Sequence, residues 1–350
     1  MRRNRATIER LETMPKYMHI SDSLLSALIN ERGSRILEKF RQTIVSGVSH
    51  PSLLSILTDV KKYWKDNYRP ALTSFSCEAV GGQPAAADDA SLMITLLSAG
   101  LGIHDDIIDK SQNKHFRMTI LGLHGVENAL LAGDLFIVKA LTTSRGIIRN
   151  CSSEKAALVV DAFENFFVEV WEGEYMEIQC RKNLETELDD YQRVLWKSTA
   201  DTEACARLGA FFGNGSHGDI GALAEFGRRL GYMFRLSDDM NDSLNTEGNL
   251  CNRLENESIP LPILFAAKYS KSNFVQIRSI LQKTDISPPD AQKILELCFD
   301  SGALSYVQGL AQENSARAIS KLRLLKRSFA RNALEAMMKK SLLDTLKLTC

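Results

Sequence analysis

Apolar residues recur along this chain at helical spacing almost throughout. Leu24, Leu25, Leu28 and Ile29 begin one stripe directly after Ser21 and Asp22, residue types that cap a helix N-terminus. Val159, Phe163, Phe166, Phe167, Val170 and Trp171 repeat the three-and-four spacing in mid-chain, which places them on one helix face. Ser287 before Pro288-Pro289, and Gly302 after Asp300, bracket a late helix with start and stop residues. Strand-like alternation is nowhere sustained. The pattern predicts an all-α bundle of about ten or more helices with short connections, its catalytic side chains pointing into the core.

Two of the predicted helices are apolar around much of their circumference, the mark of central elements. One runs through Leu92, Met93, Leu96, Leu97, Leu101 and Ile103 into Asp105-Asp106-Ile107-Ile108-Asp109. The other runs through Ile220, Leu223, Phe226, Leu230, Met233 and Leu236 into Asp238-Asp239-Met240-Asn241-Asp242. At i, i+1 and i+4 the first and last aspartates of each cluster share a face, one turn apart. Six carboxylates facing one cavity would repel one another unless hard cations intervened. Magnesium suits oxygen ligands and completes its shell with substrate phosphate oxygens, so the repeat predicts several Mg2+ ions and a phosphorylated substrate. A single such motif is as readily a solvated helix end; a second copy changes that balance.

Composition narrows the classes. The chain has 350 residues, 44% hydrophobic and 25% charged, an ordinary globular composition. Its 8 prolines and lack of a low-complexity linker suggest an N-terminal tail over 1–20 and one helical domain over 21–350, spanning both clusters. Forty-three basic and forty-three acidic residues cancel, which excludes a nucleic-acid binder working through bulk charge. Seven cysteines without a Cys-x-x-Cys fit reduced thiols, and the longest uncharged stretch, 90–103, is short for a bilayer, so a cytoplasmic location is expected. The basic run Arg317, Lys321, Arg323, Lys326, Arg327 and Arg331 reads as a solvated helix face, with a transient contact to anionic lipid as its alternative.

The paired clusters resemble those of the trans-prenyl diphosphate synthases. Gly133-Asp134-Leu135-Phe136, Glu172-Gly173-Glu174 with Glu177, Lys197-Ser198 and Leu208-Gly209-Ala210 follow in the family's order. Arg69-Pro70, Ala85-Ala86-Ala87 and Ile259-Pro260-Leu261-Pro262-Ile263 extend the match to about residues 65–270. The resemblance implies a single-domain isoprenoid-synthase-type helical bundle with a central cavity, and a homodimer. It implies magnesium held by Asp105, Asp106, Asp109, Asp238, Asp239 and Asp242, and an allylic prenyl diphosphate joined to isopentenyl diphosphate. Lys197 matches the family's lysine between the clusters and is the catalytic cation it implies; its alternative is a solvated lysine. Lys114 and His115 stand where the family has two arginines. Glu174 and Glu177 either support the polar rim or lie on a solvated face, and His104 is read as packing, since a lone histidine is poor metal evidence.

The second diphosphate site departs from the family's pattern. Of a Gly-Lys-x-x-Arg stretch only Arg69 survives, with Asp66 in place of the lysine, and Ser98 and His115 replace a histidine and an arginine. Arg235 and Ser258 replace a glutamine and a lysine around the second cluster. Three functions follow: an elongating prenyltransferase with products of C20 or more, a terpene-cyclase-like lyase ionising one prenyl diphosphate, or a noncatalytic partner subunit. The product length rests on Gly100 and Leu101, one turn before the first cluster, where a glycine would leave the cavity open.

Overall fold

A computed structural model gives residues 20–114, 117–247 and 249–348, in which sixteen α-helices carry almost all of the chain. They are α1 Asp22–Val45, α2 Pro51–Tyr63, α3 Tyr68–Ala79, α4 Asp88–Ile108, α5 Ile120–His124, α6 Val126–Arg149, α7 Ser153–Gln179 and α8 Leu188–Lys197. Then follow α9 Ala200–Phe212, α10 His217–Leu244, α11 Asn249–Asn256, α12 Leu261–Tyr269, α13 Lys271–Leu281, α14 Pro288–Asp300, α15 Ala303–Leu322 and α16 Phe329–Lys347. The all-α expectation holds. One small departure is an antiparallel pair, Asn113–Lys114 with Arg117–Met118, too short to show as alternation.

The capping signals act where the sequence places them. Ser21 accepts the Leu24 N–H at the start of α1, and Ser287 and Asp290 form a reciprocal capping box on α14. A second such box, Ser216 with Asp219, starts the 28-residue α10, which is about 42 Å long. Gly302 does stop α14, and its left-handed backbone (φ 73°) then leads directly into α15. Of the expected tail only Ile20 is among the described residues, and it packs into the core at 8% exposure.

The core is continuous, and α4 lies at its centre against α6 and α9. Leu96, Leu97, Met93 and Ile94 are fully enclosed, as the apolar circumference of the sequence requires. Residues Pro84–Ile108 are long and apolar enough to cross a membrane, yet two thirds of their most apolar stretch is buried inside the bundle. Close helix crossings bring the site together. A Cβ on Gly231 of α10 would stand 2.2 Å from the Thr202 hydroxyl of α9, so the absence of a side chain sets that spacing. The described cysteines are all free thiols.

Candidate active site

The aspartate clusters occupy the C-terminal ends of the two central helices, where the sequence puts them. Asp105 and Asp106 lie in the last turn of α4 and Asp109 caps it; Asp238, Asp239 and Asp242 occupy the end of α10. The C-terminal half of α7 adds Glu174 and Glu177. Ligand oxygens of Asp105, Asp109 and Glu174 lie within 4.8 Å of one another, an all-oxygen donor set of the kind hard divalent cations take. Glu174 thus stands beside the first cluster, with two of its carboxylates as neighbours. The crowding shows in its acidity: burial, then Asp105, Glu177 and Asp109, pushes the Glu174 carboxyl up to about 9.

The carboxylates do not face one another bare. Lys114, on the short hairpin after α4, donates to Asp105 at 2.9 Å and reaches Asp106 at 2.8 Å. Arg181 donates to Asp109 at 2.8 Å and to the Ile108 carbonyl at 3.1 Å. Arg235 donates to Glu177 at 3.1 Å. Arg253, on α11, pairs with Asp239 at 2.7 Å and Asp242 at 2.5 Å. Burial opposes ionisation of Asp105, but Lys114, then Arg235 and Arg253, hold it below the usual carboxylate range. Because Arg235 and Arg253 belong to the second-cluster side, the two clusters share one electrostatic environment. Protein packed densely around the Asp238 carboxyl, with Asp242 adding and Arg235 opposing, pushes it up to about 6.

A polar seam ties the two halves together. Residues 181 and 258 form a backbone bridge, and the Ser258 hydroxyl donates to Glu177 at 2.6 Å. Tyr191, fully buried, donates to Asp239 at 3.2 Å, and Asp239 also accepts the Leu261 N–H at 2.9 Å. Arg181, Arg253 and Tyr191 are the residues that reading the sequence missed.

The other candidates have their own partners or packing. Arg69 is paired with Asp66 at 2.6 Å and with Asp201 of α9. Asp66 has a second task, since its Oδ1 accepts the N–H groups of Tyr68 (2.9 Å) and Arg69 (3.3 Å) at the start of α3. Ser98 is buried and its hydroxyl has no partner among the described residues. Lys197 pairs with Glu172 at 2.6 Å and lines a cavity of about 610 Å³ with Phe167, Trp171 and Tyr175 of α7. His115 lies outside the described residues. His104 is 8% exposed, stacks on Trp171 and sits 3.3 Å from Asp134, in keeping with a packing role.

Gly100 points away from its expected duty. A Cβ there would stand 2.8 Å from the Gly133 carbonyl and 3.3 Å from Phe136, so the position faces α6 and forms a helix contact. Leu101 is buried at 8% exposure. Gly100→Phe is accordingly expected to overpack the α4–α6 contact and cost on the order of 3 kcal/mol or more, read as a lowered denaturant midpoint. Unchanged stability with a shorter product would restore the cavity-floor reading.

The polyprenyl synthetase family model matches residues 56–298, taking in both clusters and most of the bundle. The chain belongs to that family. It is 28% identical over 303 residues to the short chain isoprenyl diphosphate synthase of Methanothermobacter thermautotrophicus, covering 85% of this chain and 91% of that one. Solanesyl diphosphate synthase 2 of Arabidopsis thaliana is 25% identical, over 86% of this chain and 73% of its own. Among solved structures, geranylgeranyl pyrophosphate synthetase from Pyrococcus horikoshii superimposes with a TM-score of 0.78 at 25% identity, covering 91% and 98% of the two chains. A decaprenyl diphosphate synthase from Rhodobacter capsulatus gives 0.81 at 20% identity over 91% and 98%, a likeness of fold. As a polyprenyl synthetase the protein is an enzyme of the prenyltransferase class.

Proposed function

We propose that this polyprenyl synthetase is a magnesium-dependent enzyme that joins an allylic prenyl diphosphate to isopentenyl diphosphate, giving a product of C20 or longer. The observation that carries this is the convergence of Asp105, Asp109 and Glu174, with Lys114 paired to Asp105 and with Arg235, which lies on the helix of the second cluster, acting on the charge of Asp105 and Glu174. Magnesium bound by these carboxylates would neutralise the charge that develops on a departing diphosphate. The chain's own part is to fix the oxygens on rigid helix ends, to hold the Lys114 cation between Asp105 and Asp106, and to keep water from the allylic cation with the buried apolar face of α4. The product length is supported by the geranylgeranyl and solanesyl relatives, Gly100 having another role.

One observation favours a second reading. Arg69 already holds two carboxylates, Asp66 and Asp201, so the region where a second diphosphate was expected carries excess negative charge. A lyase ionising a single prenyl diphosphate would not need that site. Incubating the protein and magnesium with allylic diphosphates of several lengths, with and without labelled isopentenyl diphosphate, separates the two. Label in a longer diphosphate is the expected result; a hydrocarbon or alcohol formed equally without it supports the lyase, and no consumption of any allylic substrate contradicts both.

The homodimer is proposed through α6 and α7. Leu131, Val138 and Leu141 on α6, and Val160, Val168 and Tyr175 on α7, leave 45–67% of their surface exposed on adjoining helices. An apolar face of that extent suits a second copy of the chain related by a two-fold axis. Leu131→Glu should halve the mass measured by light scattering; a wild-type monomer would contradict the proposal.

A further inference from the structure

The fold divides the basic run near the C-terminus. Arg317 pairs with Glu313, Lys321 with Glu225 at 2.6 Å, and Arg331 donates to the Leu325 carbonyl at 3.0 Å, so these three cations have partners within the chain. Arg323, Lys326 and Arg327 stand exposed on the turn that joins α15 to α16, and neither Arg323 nor Lys326 has an ion pair among the described residues. Positive charge is thus gathered on one short turn.

The same turn carries an apolar side chain. Leu324 is 72% exposed, the most of the large apolar side chains among the described residues, while Leu322 and Leu325 on either side are buried. The backbone holds it there. The N–H groups of Leu324 and Leu325 donate to the carbonyls of Lys321 and Leu322 at 3.1 Å each, and the Ser328 hydroxyl accepts the Arg331 N–H at 3.1 Å to start α16. A lone exposed leucine is ordinary, but here cations flank it. A polyanion in water would engage the charge and leave the leucine hydrated, whereas a bilayer with anionic head groups takes both, the cations at the lipid phosphates and the leucine at the acyl boundary.

The position of the turn in the bundle fits that partner. α15 runs antiparallel to α10, since Asn314 donates to the Arg229 carbonyl at 2.8 Å and Lys321 then meets Glu225. Glu225 lies thirteen positions before Asp238, about 20 Å along α10, and the turn follows beyond it. Contact there leaves the aspartate clusters open to diphosphates in water.

We propose that the turn 323–328 is a docking surface for an anionic lipid bilayer, with Leu324 entering the head-group region and Arg323, Lys326 and Arg327 on lipid phosphates. A product of C20 or longer is then made beside the phase that dissolves it; this role rests on the proposed function, and the docking does not.

The test is co-sedimentation of the full-length protein with vesicles of phosphatidylcholine alone and of an equal mixture of phosphatidylcholine and phosphatidylglycerol. Wild type is expected to bind the mixed vesicles at least tenfold more tightly than the neutral ones. Lys326→Glu with Arg327→Glu should weaken that binding by about tenfold or more, and Leu324→Ser by about fivefold or more, with circular dichroism unchanged because all three side chains are exposed. Equal binding to both vesicles, or wild-type affinity in the charge variant or in Leu324→Ser, overturns the proposal. So does release by inorganic diphosphate, which would place the lipid phosphates at the cations of the active site. The assay needs no turnover, so its failure leaves the proposed reaction standing, and a failed reaction leaves the docking to be judged on the vesicles alone.

Discussion

Asp105→Ala is expected to lower turnover by about three orders of magnitude or more at saturating magnesium, and Asp238→Ala to do the same. Asp105 is one of three carboxylates whose oxygens lie within 4.8 Å, so its loss takes away a ligand that Asp109 and Glu174 cannot replace. Folding should survive. The apo site is crowded with negative charge, and Lys114 keeps Asp106 as a partner at 2.8 Å when Asp105 is gone. Asp238 has no ion pair among the described residues to lose, and its carboxyl is already pushed up to about 6 by its surroundings. Melting temperatures within a few degrees of wild type, together with collapsed kcat, are the combined result to look for. Near-normal kcat in both variants would contradict a metal site built from two clusters.

Asp66→Asn should lower the KM for isopentenyl diphosphate by about tenfold or more if elongation is the reaction, since a charge-assisted hydrogen bond contributes about 1.5–3 kcal/mol. In the native protein Arg69 is shared between Asp66 and Asp201, so an incoming diphosphate meets a cation already neutralised twice. Asparagine removes one of those charges while retaining an oxygen for the N–H groups of Tyr68 and Arg69, which keeps the start of α3 capped. Asp66→Lys would also reverse the charge but would give up the cap. An unchanged KM in Asp66→Asn would mean that the second diphosphate is held elsewhere or is not bound, which favours the lyase.

The helices and both aspartate clusters were legible because their signals are local. Ser21 and Ser287 mark helix starts within three residues, and Asp105 and Asp109 are one turn apart, so neither depends on knowing the tertiary fold. The basic partners were not legible for the converse reason. Arg181 meets Asp109 from 72 residues away, and Arg69 meets Asp201 from 132, pairings that only the packed bundle creates. Arg253 lies nearer, 11 residues beyond Asp242, but a turn and a short helix intervene, and its charge looks like any other on a polar segment. Gly100 shows a subtler limit. Helical phase says which side of α4 it occupies, while the neighbour on that side, Gly133 of α6, is set by how the helices cross.

The account's central claim is that the two clusters hold a diphosphate through divalent cations, and calorimetry of an unreactive allylic thiodiphosphate tests it most directly. With magnesium present, wild type should bind the ligand tightly, and its melting temperature should rise in step with ligand concentration. Chelating the magnesium, or introducing Asp105→Ala, should weaken binding by roughly a hundredfold or more. Equal affinity with and without magnesium would contradict the claim.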